Sequence, residues 1–361
     1  MKTFQPIMKL TNLCNLDCAY CYYKRTLKSN AFNKIMPEEV WKKTIDKTFE
    51  YNYNNDYLGV DFCLHGGEPT LFPIEKLKKL INYVKSVSKK YDDKISYSFS
   101  IQSNGQFVSD ELIDLLVKEK INVGISIDGP AYLNEMGRKS CNKNTSITEN
   151  SLNTYKKLTE AGVKCGVLTV ITNAHKGKAK ELYEFYKNNN IHTVGLLRCF
   201  GEGATVDNDV LADFLIEFFD LYFYGDYELN IREFDYAIQN CLGAEGQNVC
   251  NLNYRKRCGQ YLTVSTNGDL FFCDDDISDA KPFGNIVTDE IEKIYSSQKY
   301  IDKMNQVKLV LPTCEKCEVY SVCRTGCHRN DVNGKNYFCK AYIRFYNHVK
   351  EIVNKFAEEV K

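Results

Sequence analysis

The chain has 361 residues, 43% of them hydrophobic, enough to bury one large core or two ordinary ones without covalent staples. Lysine plus arginine equals aspartate plus glutamate at 47 each, so no basic field argues for nucleic acid or an anionic membrane surface. Sixteen cysteines stand out against this; in a reducing compartment they read as metal ligands or catalytic groups rather than as disulfides.

The N-terminus, MKTFQPIMKLTNL, lacks a basic-then-apolar targeting pattern, and no apolar run approaches the ~18 residues of a membrane span, so a cytoplasmic location is expected. Short β-rich runs follow at 4–10, 58–64, 94–102, 121–127, 163–171 and 191–199. Helical patterns lie between them, among them 37–50, with proline in its first turn, and 109–120, with Ser109 as N-cap. Six βα repeats predict an α/β fold: a partial (β/α)6, TIM-like barrel with its chemistry on loops at the C-terminal strand ends. A helical region at roughly 207–242 follows, with the apolar core VLADFLIEFFDLYFY. Residues 260–273 read as a β-hairpin around Asn267-Gly268. Beyond it lies an irregular cysteine-rich α+β segment, closed by a helix at 341–360. The expected domains are 1–225, a helical linker at 226–257, and 258–361.

TNLCNLDCAYCYYKR (11–25) places Cys14, Cys18 and Cys21 on one loop after the first strand. Zinc usually closes its site with a fourth protein ligand, and no histidine or cysteine nearby supplies one. A [4Fe–4S] cluster on three cysteines leaves one iron open to a small molecule. In this spacing, and in Gly66-Gly67-Glu68-Pro69 after the second strand, the chain resembles the radical S-adenosylmethionine superfamily. The resemblance implies reductive cleavage of S-adenosylmethionine to a 5′-deoxyadenosyl radical. It implies cofactor contacts for Tyr20, Gly66, Gly67, Glu68, Pro69, Ser103, Asn104, Ser126, Asp128 and Arg138. Read without it, Ser103, Ser126 and Asp128 are equally capping or turn residues, and His65 a core or turn histidine.

The second cysteine set is Cys258, Cys273, Cys314, Cys317, Cys323, Cys327 and Cys339, with Gly268 between the first two. It is similar to the SPASM extension of peptide-modifying members of that superfamily; alone it could also be read as a zinc ribbon. The resemblance implies two auxiliary [4Fe–4S] clusters: a distal one on Cys314, Cys317, Cys323 and Cys339, and a proximal one on Cys258, Cys273 and Cys327. Cys250 is the nearest fourth ligand for the latter, with Cys241 or an open iron as alternatives. Cys63, Cys141, Cys165, Cys199 and Cys241 otherwise read as small buried hydrophobes.

Only 13 residues precede Cys14, so the leader-binding module that many ribosomal-peptide maturases carry there is not expected. Length, layout and the CGQY…CD hairpin look most like anaerobic sulfatase-maturating enzymes, which oxidise a Cys or Ser of a partner protein to formylglycine. Asp274, directly after Cys273, matches the proposed base of those enzymes; otherwise Asp274, Asp275 and Asp276 form a solvated acidic turn. The DDD run and KSCNKNTSITEN depart from that pattern. Alternatives are a ribosomal-peptide maturase forming a thioether or carbon–carbon crosslink, and a non-catalytic iron–sulfur electron carrier. The expected partners are a sulfatase or peptide precursor and a flavodoxin or ferredoxin electron donor.

Overall fold

The computed structural model describes residues 3–29, 31–140, 146–201, 204–244, 258–259, 261–278 and 280–359. Twelve strands succeed one another along the described residues: β1 (Thr3–Thr11), β2 (Gly59–Gly66), β3 (Ser96–Ser103), β4 (Asn122–Ser126), β5 (Cys165–Ile171), β6 (Thr193–Arg198), β7 (Asn230–Ile231), β8 (Tyr261–Val264), β9 (Asp269–Phe271), β10 (Gly284–Asn285), β11 (Asp331–Val332) and β12 (Lys335–Asn336). The chain divides into two compact units that interleave along the sequence: residues 1–126, 138–165 and 258–306, and residues 127–137, 166–257 and 307–361.

In the first unit β1 to β4 pair in parallel, in sequence order. The buried positions of these strands are mostly apolar, with Lys9 and Thr11 on β1 and Ser103 on β3 as polar exceptions, and the helices between them bury one stripe. Ile74–Lys90 covers Leu77, Leu80, Ile81, Val84 and Val87, the i, i+3, i+4 spacing of an amphipathic helix. Asp110–Lys118 begins as expected at Ser109, whose Oγ accepts from Leu112 N at 3.2 Å. Pro37 is the N-cap of Glu38–Asn54, one residue outside the first turn.

The expected hairpin forms, with β8 antiparallel to β9. Its turn is closed by Gly268 N donating to Ser265 O at 2.9 Å, and Gly268 holds φ +88°, where a side chain would be strained. The hairpin also extends the barrel-type sheet: β8 pairs in parallel with β1, from Gln5↔Tyr261 to Met8↔Val264. β1 thus has hydrogen-bonded neighbours on both sides, which relieves the exposed-edge liability of a strand.

In the second unit β5, β6 and β7 are parallel. Helix Asn208–Tyr224 lies against the long C-terminal helix Cys339–Glu359. Phe219 meets Phe345 edge-on at 5.9 Å, and Arg344 reaches Asp209 at 3.3 Å and Asp213 at 2.5 Å. No helix among the described residues is long and apolar enough to cross a membrane.

Candidate active site

In the first unit, the loops that follow β1 and β2 meet backbone to backbone. Gly67 N donates to Thr11 O and Glu68 N to Leu13 O, both at 2.7 Å, so the Gly-Gly-Glu-Pro turn is bonded to the residues that lead into Cys14. The two glycines make this approach possible. A Cβ on Gly66 would stand 2.3 Å from Thr11 O, and one on Gly67 2.3 Å from Leu13 O.

Glu68 ties the third loop in. Its buried carboxylate accepts from Thr70 N at 3.1 Å, Thr70 Oγ1 at 2.8 Å, Ser103 Oγ at 2.8 Å and Asn104 N at 2.7 Å. Burial still pushes its pKa above the usual carboxylate range, although those four bonds favour the charged form. Asn104 continues to the cysteine loop, its Nδ2 lying 2.7 Å from Asn15 Oδ1 and 3.9 Å from Cys14 Sγ. Glu68→Gln turns one acceptor into a donor that must face an N–H or O–H. It is expected to cost about 2–3 kcal/mol in chemical denaturation, as buried donors lose their partner.

Cys14, Cys18 and Cys21 share one electrostatic neighbourhood. Burial, together with the charges of Glu68, Cys18 and Cys21, pushes the Cys14 thiol up to about 12. Burial also raises Cys21, opposed by the positive charges of Lys9, Arg138 and Lys24. The segment around Arg138 runs along the loop: Asp17 N donates to Lys139 O at 2.8 Å, and the buried Arg138 guanidinium lies 5.5 Å from the Tyr20 ring centre. Three grouped thiols with cations around them fit an anionic iron–sulfur cluster. Ser126 Oγ, at the end of β4, accepts from Gln102 Nε2 at 3.1 Å. Asp128 is in the second unit, where its Oδ1 accepts from Val170 N at 2.9 Å and its carbonyl meets His175 Nε2 at 2.9 Å.

The residues after Cys273 return to the same loop. Ser278 Oγ donates to Tyr22 O at 2.8 Å, and Cys21 packs on Tyr23, Phe271 and Ile277. The acidic turn is not evenly solvated: Asp275 is exposed, Asp276 buried and Asp274 partly buried. Asp274 Oδ1 lies 2.6 Å from Lys9 Nζ, and its Oδ2 accepts from Tyr22 OH. Lys9 Nζ also reaches Tyr22 OH at 3.0 Å and His65 Nδ1 at 3.4 Å. Burial would raise the Asp274 carboxyl, but Lys9, His65 and the two hydrogen bonds outweigh it and hold the pKa below its ordinary value. His65 is pushed down to about 4, first by burial and then by Lys9, so it is neutral at neutral pH. Lys9, Tyr22 and His65 were not expected here. The available signal was a lysine inside the β-rich run FQPIMKL, where it is fully buried.

In the second unit, Cys314, Cys317, Cys323 and Cys339 are mutual neighbours. Burial and then the charges of Cys339, Cys317 and Cys314 push Cys323 up to about 12. This donor set also fits a four-iron cluster. Among the described residues no three His, Cys, Asp or Glu side chains converge tightly enough to hold one metal ion. Cys258 and Cys273 lie in the first unit and Cys327 in the second. Cys250 and Cys141 lie outside the described residues. Cys199 is buried, whereas Cys63, Cys165 and Cys241 are partly exposed.

Residues 8–186 match the family model described as the radical SAM superfamily, and residues 256–328 the one described as an iron–sulfur cluster-binding domain, SPASM. The chain belongs to the radical SAM superfamily. It is an enzyme whose cofactors are [4Fe–4S] clusters and S-adenosylmethionine. It is 27% identical to a serine-type anaerobic sulfatase-maturating enzyme of Bacteroides thetaiotaomicron, over 96% of this chain and 89% of that one. It is 26% identical to a cysteine-type anaerobic sulfatase-maturating enzyme of Clostridium novyi, over 96% and 95%. In fold it is similar to native anSMEcpe with bound AdoMet and Cp18Cys peptide, with a TM-score of 0.85, 23% identity and coverage of 99% of this chain and 100% of that one. It is also similar to Streptococcus suis SuiB bound to precursor peptide SuiA, with a TM-score of 0.66, 17% identity and coverage of 93% and 75%. These likenesses carry the expected partial barrel with its cysteine-rich extension.

Proposed function

We propose that the enzyme oxidises a Cys or Ser side chain of a protein or peptide to formylglycine, as in sulfatase maturation. The observation that carries the reading is Asp274, an anionic carboxylate held against the cysteine loop by Lys9 and Tyr22. The near full-length likeness to anaerobic sulfatase-maturating enzymes of both substrate types supports it. When bound, the cluster and S-adenosylmethionine supply one-electron cleavage of the cofactor and hence a radical that removes hydrogen from carbon. Cys14, Cys18 and Cys21 would hold that cluster, and Tyr20, Gly66–Pro69, Ser103, Asn104, Ser126, Asp128 and Arg138 would surround the nucleotide. Asp274 takes the proton that the substrate radical must lose as its electron leaves, for which an auxiliary cluster would be the acceptor, and Lys9 keeps that carboxylate ionised and aimed.

Cys314, Cys317, Cys323 and Cys339 would hold the distal auxiliary cluster; Cys258, Cys273 and Cys327, with Cys250, would hold the proximal one. The functional division is 1–225 for the barrel, 226–257 for the linker and 258–361 for the extension. Iron–sulfur chemistry of this kind fits an anaerobic cytoplasm and a flavodoxin or ferredoxin donor. The neutral charge balance offers no attraction to nucleic acid or an anionic membrane.

Anaerobically reconstituted protein is expected to carry about twelve irons in three four-iron clusters; about four would overturn the auxiliary assignment. Incubation with S-adenosylmethionine, reductant and a sulfatase-motif Cys or Ser peptide is expected to give an aldehyde by mass spectrometry. A Cys peptide that loses two hydrogens but keeps its sulfur, or a Ser peptide whose product, lighter by two hydrogens, does not react with a carbonyl reagent, would instead support a crosslinking maturase. Asp274→Asn is expected to lower aldehyde formation about 100-fold or more, while 5′-deoxyadenosine formation falls much less. Equal loss of both products would remove the base role.

A further inference from the structure

We infer that Arg198, the last residue of β6, is the counter-charge of the iron–sulfur cluster to which Cys327 contributes, and that it sets how readily that cluster takes up an electron. The inference rests on the proposed role of Cys327 as a ligand.

All of the supporting contacts lie within the second unit. The Arg198 guanidinium sits 5.9 Å from the centre of the Tyr342 ring, on the helix that starts at Cys339. With its carboxamide oxygen turned towards that group, Asn330 accepts from Nη2 at 3.1 Å and from Nε at 3.2 Å. The backbone N–H of Asn330 in turn donates to Cys327 O at 3.1 Å. Arg198 is thus linked to Cys327 through one residue, the side chain and backbone N–H of Asn330.

Its remaining terminal nitrogen, Nη1, is buried and has no hydrogen-bond partner among the described residues. The carboxylate in its neighbourhood, Glu233, is already engaged: Oε1 accepts from Arg232 Nε at 2.8 Å and Oε2 from Leu196 N at 3.2 Å. A guanidinium stays charged under all ordinary conditions, and a buried cation without an anion is strongly unfavourable. A thiolate-bound four-iron cluster is an anion whose potential responds to nearby charge and to donors facing its sulfurs. Such a cluster on Cys327 would add an anion to the surroundings of the guanidinium and offer an acceptor to that N–H. When one electron enters it from a reductant, no bond forms or breaks, and the added negative charge is stabilised by Arg198.

The test compares Arg198→Gln and Arg198→Lys in the full-length, anaerobically loaded enzyme, by iron analysis and redox titration followed by electron paramagnetic resonance. In Arg198→Gln with full iron content, the reduced-to-oxidised ratio of one auxiliary cluster at fixed potential is expected to fall at least about tenfold, or about 59 mV for a one-electron couple. Arg198→Lys, which keeps the charge, is expected to shift it far less. Loss of one cluster's iron in Arg198→Gln but not in Arg198→Lys also supports the inference. Full iron with unchanged potentials in Arg198→Gln overturns it, as does equal iron loss in both variants. Cys327→Ala separates the two readings. If it keeps all its iron, the ligand assignment falls and takes this inference with it. If it loses one cluster while Arg198→Gln leaves both potentials unchanged, only this inference falls.

Discussion

Gly67→Ala is expected to strip the enzyme of the cluster held by Cys14, Cys18 and Cys21, leaving about eight of twelve irons, and to abolish 5′-deoxyadenosine formation. The new Cβ would stand 2.3 Å from Leu13 O and 2.8 Å from Leu13 C, both backbone atoms that cannot rotate away. Relief needs a shift of about 1 Å, a displacement that alone can cost two orders of magnitude in rate when it reaches reacting groups. The shift must break the bond from Glu68 N to Leu13 O or move the residue next to Cys14. Overpacking of this kind costs about 1–3 kcal/mol. Gly66→Ala combines a 2.3 Å clash with Thr11 O and a φ of +141°, so it is expected to be at least as damaging. Gly162→Ala is the control: φ is +84° there, but nothing lies within 4 Å of the added atom. It is expected to lose about 1 kcal/mol in strain and keep all its iron. Iron analysis of the three variants decides the matter. Full iron in Gly67→Ala would show that the turn does not position the loop.

What the sequence made legible is local. The six strands were recognisable because β-rich apolar runs alternate with amphipathic helices. The cysteine loop and Gly-Gly-Glu-Pro were recognisable because each is one continuous motif. The role of the two glycines was less visible: the contact that forbids a side chain is with Thr11 and Leu13, and nothing in the motif names that neighbour. The hairpin was found from Asn267-Gly268, but its parallel pairing with β1 joins residues far apart in the chain, and local pattern does not encode a partner strand. Glu68 shows the same limit. A carboxylate in a cofactor motif suggests ligand contact; that its oxygens also accept from Thr70, Ser103 and Asn104 and knit two loops together is not written in the motif. Asp274 was singled out by its place after Cys273, yet what fixes its charge is a lysine on the first strand.

That lysine carries the second large effect. Lys9→Met is expected to lower aldehyde formation about 100-fold at neutral pH, the scale of losing a general base, with a much smaller effect on 5′-deoxyadenosine. Lys9 is fully buried, and its ammonium serves Asp274, Tyr22 and His65 together. With it gone, burial, which already pushes the Asp274 carboxyl upward, loses the largest charge that opposes it. The carboxyl then keeps its proton to higher pH, so the acid limb of aldehyde formation moves towards alkaline pH and activity partly recovers there. Stability carries the same signature. A carboxyl held below its unfolded value stabilises the fold above the ordinary carboxylate range, and that contribution is lost as pH falls through the folded value. The variant is expected to be less stable by about 2–3 kcal/mol at neutral pH, below the 3–5 of a fully buried pair, because the Asp274 side chain is 20% exposed. The gap from the parent protein should close in acid. Product formation against pH and denaturation at neutral and acidic pH measure both. An acid limb that stays in place would show that Lys9 does not govern Asp274, and a stability gap that persists in acid would show that Lys9 acts through packing rather than charge.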